Sequence, residues 1–273
     1  MRTLIFILAA AIICTTASAQ INVNDMIKKR MEQQQAKQNS GAQTGAETQP
    51  SSVKVEDDNS PFVPNKFLGS YRMEMHFFKK GVEEKKSPTN ARYAFKEDMT
   101  AMNIKQTDEN AHDMRMIYDL KNKVQYMLMD DGKNKTAMKQ KLKTITVDSD
   151  KQKETSEMKV TMTDEYKVID GHNCRKVTGE NEESKGEWWV AQDVDIDMME
   201  VMRTVQMKGR SRDEYAKFGG KGLPMEMIWE KKDGSDKLVM NTKDVLIGSP
   251  DASNFDISGY EVTDMTSMPG FGH

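Results

Sequence analysis

Four short stretches place methionines two residues apart with polar or charged residues beside them: Met73/Met75, Met114/Met116, Met127/Met129 and Met225/Met227. On an extended strand, residues i and i+2 share a face. Neighbours such as Arg72, Glu74, Arg115 and Glu226 therefore point away from the thioethers. The pattern predicts a sheet with one oily face and one wet face, and that oily face is the main functional clue in the chain.

The N-terminus carries Arg2, an apolar run over residues 4–13, and small residues closing on Ala17-Ser18-Ala19, the form of a secretory signal with a cut after Ala19. The run is too short to span a bilayer. Bulky Ile12 and Ile13 precede Cys14, where a lipoprotein signal would place small side chains, so a soluble periplasmic or secreted protein is expected, with no transmembrane segment in the mature chain. Cleavage would leave 39 basic residues (40 − 1) against 43 acidic ones, a balance that argues against nucleic acid as a partner. It would also leave Cys174 alone, so the exported domain must fold by burying apolar surface, without an internal disulfide.

Residues 20–65 are poor in apolar side chains and rich in Gln, Ser, Thr, Gly and Ala, and are expected to form a disordered or partly helical tether. The folded domain is expected over 66–265, followed by a flexible tail at 266–273. From Tyr71 onwards, period-two alternation recurs at 92–96, 100–106, 113–119, 124–129, 136–139, 159–163, 166–169, 174–178, 187–191, 225–230 and 237–247. Asp131-Gly132, Asp170-Gly171 and Asp233-Gly234 sit between such runs, a strong signal for hairpins and antiparallel pairing. The period lengthens between Asp195 and Lys208, where Ile196, Met198, Met199, Met202 and Val205 form a stripe; this predicts one principal helix over 195–208, and Ser211-Arg212-Asp213-Glu214 predicts a capping box opening a shorter one. The predicted class is mainly antiparallel β (α+β): a curved half-barrel sheet of about ten strands wrapped around the principal helix, because a wide sheet must twist or curl.

Two segments carry a family likeness: Ile169-Asp170-Gly171-His172-Asn173-Cys174-Arg175-Lys176 followed by Trp189-Val190, and the ending Ser253-Asn254-Phe255-Asp256-Ile257-Ser258-Gly259-Tyr260-Glu261-Val262. With these the chain resembles an exported bacterial family of unknown function, itself similar to the outer-membrane lipoprotein carriers of the LolA and LolB superfamily. The resemblance implies a half-barrel closed by helices around an apolar cavity, which in the carriers accepts acyl chains. It assigns no functional residue in this chain.

Sequence reasoning places the walls of such a cavity at Met73, Met75, Met114, Met116, Tyr118, Tyr126, Leu128, Met225, Met227 and Trp229, with Met199 and Met202 supplied by the helix. An unbranched thioether adapts to apolar ligands of varying shape, and equally fills irregular gaps in an ordinary core. The same sulfurs are soft ligands for cuprous copper, a weaker reading because the pairs lie on separate strands and no Met-rich loop with His gathers them. His76, His112 and His172 lack zinc-ligand spacing, and neither a G-x-S-x-G elbow nor a phosphate loop is present. No cofactor and no catalysis are expected. The expected partners are a lipid or lipoprotein, or a protein of the cell envelope if the chain is a structural or interaction module.

Overall fold

The computed structural model describes residues 53–105, 114–130, 132–147, 159–196, 207–208 and 222–267. Their strands run β1 Val53–Asp57, β2 Gly69–Lys79, β3 Val82–Glu83, β4 Thr89–Phe95, β5 Met99–Lys105, β6 Met114–Asp119, β7 Val124–Asp130, β8 Lys135–Lys141, β9 Lys143–Val147, β10 Lys159–Ile169, β11 His172–Glu180, β12 Ser184–Ala191, β13 Met207–Lys208, β14 Leu223–Lys231, β15 Asp236–Ile247 and β16 Glu261–Asp264. Thirteen of them form one sheet in the order β10-β11-β12-β14-β15-β2-β4-β5-β6-β7-β8-β16, with β3 beside β2. Every neighbour pair in it is antiparallel except β8 with β16. Among the described residues the sheet is open, with β10 and β16 as its edges.

Turn chemistry explains much of this meander. Asp170 and Gly171 both take positive φ, 48° and 83°, and join Ile169 to His172 in the two-residue loop that matches strand twist. Lys80 and Gly81 do the same at 51° and 78° between β2 and β3. The expected strands 159–163 and 166–169 are one strand, bulged between Met162 and Tyr166.

The expected helix over 195–208 does not run that whole length. Asp195 and Ile196 are not helical, the Ile196 carbonyl accepts from the Gly222 N–H at 2.9 Å, and Met207–Lys208 pair in parallel with β9. Backbone groups committed to those partners cannot also close helical turns. Residues 197–206, with Met199 and Met202, and the shorter helix expected from Ser211 lie outside the described residues.

Regular structure extends into part of the segment expected as a tether. Residues 53–65 belong to the fold: β1 pairs with β9, and β9 with β13, in a second sheet. The Asp57 carboxylate bridges Lys141 and Lys143 at 2.9 and 2.6 Å, and buried Asp58 accepts from Lys123 Nζ at 2.9 Å. Asn65 pins the β4–β5 turn, its Nδ2 donating to the Lys96 and Met99 carbonyls and to Thr100 Oγ1. A polar segment can dock in this way because hydrogen bonds replace the apolar contacts it lacks.

Candidate functional site

The register sorts the side chains of the large sheet onto two faces. Across β2, β4 and β5, Met73, Met75, Tyr71, Ala91, Tyr93, Phe95, Met102 and Ile104 share one face; β6 to β8 continue it with Met114, Met116, Tyr118, Met127, Met129 and Met138. In the other direction Leu238 and Met240, then Met227 and Trp229, then Trp188 extend it. This is the oily face the methionine pairs predict, continuous over nine strands from β12 to β8. Its centre is closely packed: Tyr71 stacks on Tyr93 at 5.2 Å and on Phe95 at 5.8 Å, and Met73, Met75 and Met240 are buried. Towards β8 the methionines are only half-buried.

Most of the residues expected to line a cavity therefore meet on this face: Met73, Met75, Met114, Met116, Tyr118, Met227 and Trp229. Met225 sits at the bulge between β12 and β14 and is fully buried. Tyr126 and Leu128 do not join them. In β7, Met127 opposes Met116, so Tyr126 and Leu128 face the other side. There Leu128 packs in a small core with Ala94, Ala101, Ile117 and Ala137, covered by Phe255, Ile257 and Tyr260 of the C-terminal segment. Arg115 clamps that segment by donating to the Ser253 and Asp256 carbonyls.

Sequence reasoning did not count Tyr71, Met127, Met129 or Met138 among the cavity walls, although all four lie on the oily face. The Tyr71 hydroxyl is completely buried and has no hydrogen-bond partner among the described residues. Burial raises the pKa of this phenol strongly, so it stays protonated and remains a donor. An unsatisfied buried hydroxyl costs about 1–3 kcal/mol, so a partner for this donor would be stabilising.

The opposite face is wet. Lys159, Glu180, Lys185, Glu230 and Lys237 stand opposite one another across five strands, along a groove of about 540 Å³ that also takes in Thr161, Thr178 and Glu187. Alternating charge across strands explains this row as solvated ion pairing, as in Lys185 with Glu230 at 3.0 Å. Of the adjacent tryptophans, Trp188 is buried on the oily face, whereas Trp189 lies on the wet one beneath Lys167 and Lys176, 4.5 and 5.7 Å from its ring. Cys174 is buried, its Sγ donates to the His172 carbonyl at 3.4 Å, and burial pushes the thiol up to about 11, which makes it a poor nucleophile.

His76, also on the wet face, places Nδ1 2.6 Å from Glu83 and Nε2 3.3 Å from Glu74. Burial pushes this imidazole down, but the two carboxylates outweigh it and the net shift is upward. Folding thus favours the protonated ring: its contribution is complete below the unfolded value near 6.5 and disappears as pH rises through the raised native value. The melting temperature of the native protein should therefore fall as pH rises above about 6.5. His76→Gln should flatten that part of the curve, and equal slopes in the two proteins would show that the carboxylates do not hold the ring charged.

The described residues thus form an open, mainly antiparallel sheet with one largely apolar face. Residues 67–260 match the domain of unknown function DUF4412, and the chain belongs to that family. No curated protein matches. Solved structures that match part of the chain include PNGF-II, 14% identical over 73% of this chain and 31% of that one, TM-score 0.34. Others are the Pseudomonas aeruginosa MucA/MucB complex, 9% identical over 69% and 55%, TM-score 0.36, and the LolA superfamily protein NE2245 from Nitrosomonas europaea, 9% identical over 71% and 92%, TM-score 0.27. The chain thus spans less than a third of PNGF-II. Among the described residues no helix is long and apolar enough to cross a membrane.

Proposed function

We propose that this is an exported, non-catalytic binding or carrier protein that holds an apolar ligand, a lipid or lipoprotein acyl chain, against the methionine face of the large sheet. The observation that carries the reading is the continuity of that face, with half-buried thioethers at the β6–β8 end and, within it, the Tyr71 hydroxyl, which has no partner among the described residues. Thioethers adapt to a flexible chain, and a buried donor suits the carbonyl or carboxylate that ends one. The signal-like segment 1–19 supports export.

Organic extraction of protein purified from its own compartment should release lipid detectable by mass spectrometry, and the stripped protein should take up a fluorescent fatty acid saturably. Met127→Asp, which sets a carboxylate among the half-buried thioethers, should weaken uptake at least about tenfold, a loss of about 1.4 kcal/mol or more. No extractable lipid together with no uptake would end this reading.

A second reading, an interaction module of the envelope, is favoured by the edge strand β10, where Tyr166 and Val168 are 53% and 71% exposed. An unpaired strand edge is a template for adding a partner strand. Pull-down with residues 20–52 deleted separates tether-borne from domain-borne partners and leaves β1 intact.

A further inference from the structure

Methionine pairs that are far apart in sequence are brought side by side by the register. Met102 on β5 stands opposite Met116 on β6, Met116 opposite Met127 on β7, and Met127 opposite Met138 on β8. Two residues along, Met114 and Met129 oppose each other on the same face. Six thioethers therefore form two adjacent rows on neighbouring strands. Register thus places thioethers from four separate strands next to one another.

We propose that Met116, Met127 and Met138 form a binding site for a soft monovalent cation, Cu(I), with Met114 and Met129 as further donors. This goes beyond the acyl-chain reading and does not depend on it. Neighbouring strands lie about 4.8 Å apart, so the Cβ atoms of Met116 and Met138, two strands apart, are separated by roughly 10 Å. Three sulfurs bound at about 2.3 Å in a trigonal plane are about 4 Å from one another. Each methionine sulfur lies two bonds beyond its Cβ, too short a stem for the two outer side chains to share one ion, so Met127 holds it with either neighbour, each about 5 Å away, and Met114 or Met129 supplies a third sulfur.

Accessibility separates this cluster from the rest of the face. Met116, Met127 and Met138 are half-buried, whereas Met73, Met75 and Met240 are buried in the packed centre. An ion can therefore reach the β6–β8 sulfurs without opening the core. The Met116 sulfur already accepts a hydrogen bond from the Tyr118 hydroxyl at 3.3 Å, which holds it on this face and leaves its second lone pair for a metal. The donor set fixes the metal class. Uncharged thioethers select Cu(I) over harder ions, and among the described residues no group of three or more His, Cys, Asp or Glu side chains is arranged to hold one. Thioethers do not protonate, so binding should be independent of pH across the range in which histidine or cysteine sites titrate.

Two measurements test the site. The full-length protein should take one Cu(I) per chain from a chromogenic Cu(I) chelator, and titration with Ag(I) as an air-stable substitute should shift the ε-methyl NMR signals of Met116, Met127 and Met138. The triple variant Met116→Leu, Met127→Leu, Met138→Leu keeps the volume and apolar character of the face. It should lose Cu(I) uptake, and Met162→Leu on edge strand β10 should keep it. Failure of the native protein to compete with the chelator would overturn the proposal, as would methyl shifts confined to other methionines or undiminished uptake by the triple variant. If that variant does not fold, the methyl shifts of the native protein decide.

Discussion

Leu128→Ala is expected to destabilise the domain by about 2–5 kcal/mol, towards the upper end, and to leave uptake of an apolar ligand unchanged in the molecules that remain folded. Leu128 is fully buried and packs against Ala94, Ala101 and Ala137, whose side chains are single methyl groups on hydrogen-bonded strands. Such walls cannot move in to fill a cavity, and an uncollapsed cavity is what makes a large-to-small change costly. The covering segment could follow only by giving up the Arg115 hydrogen bonds to the Ser253 and Asp256 carbonyls and the stacking of Lys96 over Phe255 at 4.4 Å. For a domain of this size the loss corresponds to a drop in Tm on the order of 5–15 °C. Ligand uptake is the discriminating readout, because Leu128 lies on the face away from the methionines. A folded Leu128→Ala protein that has lost uptake would show that the C-terminal side of the sheet takes part in binding. A protein of unchanged Tm would show that this second core is not closed.

The position of Leu128 also shows where sequence reasoning reaches its limit. The two-faced sheet is legible because charged residues alternate with apolar ones in β2 and β6: Arg72, Glu74 and His76 against Met73, Met75 and Phe77, and Arg115 against Met114 and Met116. In β7 both sets are apolar, Tyr126 and Leu128 interleaved with Met127 and Met129, so alternation cannot choose between them. Only the register, with Met116 opposite Met127, settles the question, and it turns Tyr126 and Leu128 into the floor of a second core. The same register makes a soft-ligand cluster of methionines that look scattered along the chain. Asp170-Gly171 announces its hairpin, whereas Lys80-Gly81 builds an equivalent turn with a residue that rarely advertises positive φ. The docking of 58–65 is invisible to a hydrophobicity pattern because Asp58 and Asn65 hold it through polar groups. Within 195–208 a helical period is written in the side chains, yet the backbone at either end is claimed by Gly222 and β9.

Gly186→Val should be the most damaging single substitution on the methionine side. Gly186 stands directly opposite Trp229, and the indole lies over the space a side chain would fill: a Cβ there would come within 2.2 Å of Trp229 Cε3 and 2.9 Å of the Ile228 carbonyl oxygen. One obstacle is a side chain and the other is backbone, so moving the ring relieves only part of the clash. Moving the ring also breaks its packing on the Val177, Trp188 and Val190 core, where the two tryptophan rings lie 6.3 Å apart. A glycine in a strand interior weakens the strand unless a neighbouring aromatic covers it, and here the covering ring restores the lost packing. Valine introduces a branched side chain into that position, for which about 3 kcal/mol or more is expected, or roughly 6–12 °C in Tm. The source of the loss is testable by a double-mutant cycle with Trp229→Leu. If the indole is the obstacle, the second change should recover part of the stability lost to Gly186→Val even though it is destabilising alone. Strict additivity would place the damage in the backbone contact with Ile228, and a Gly186→Val protein that melts with the native one would mean that the indole does not rest on Gly186.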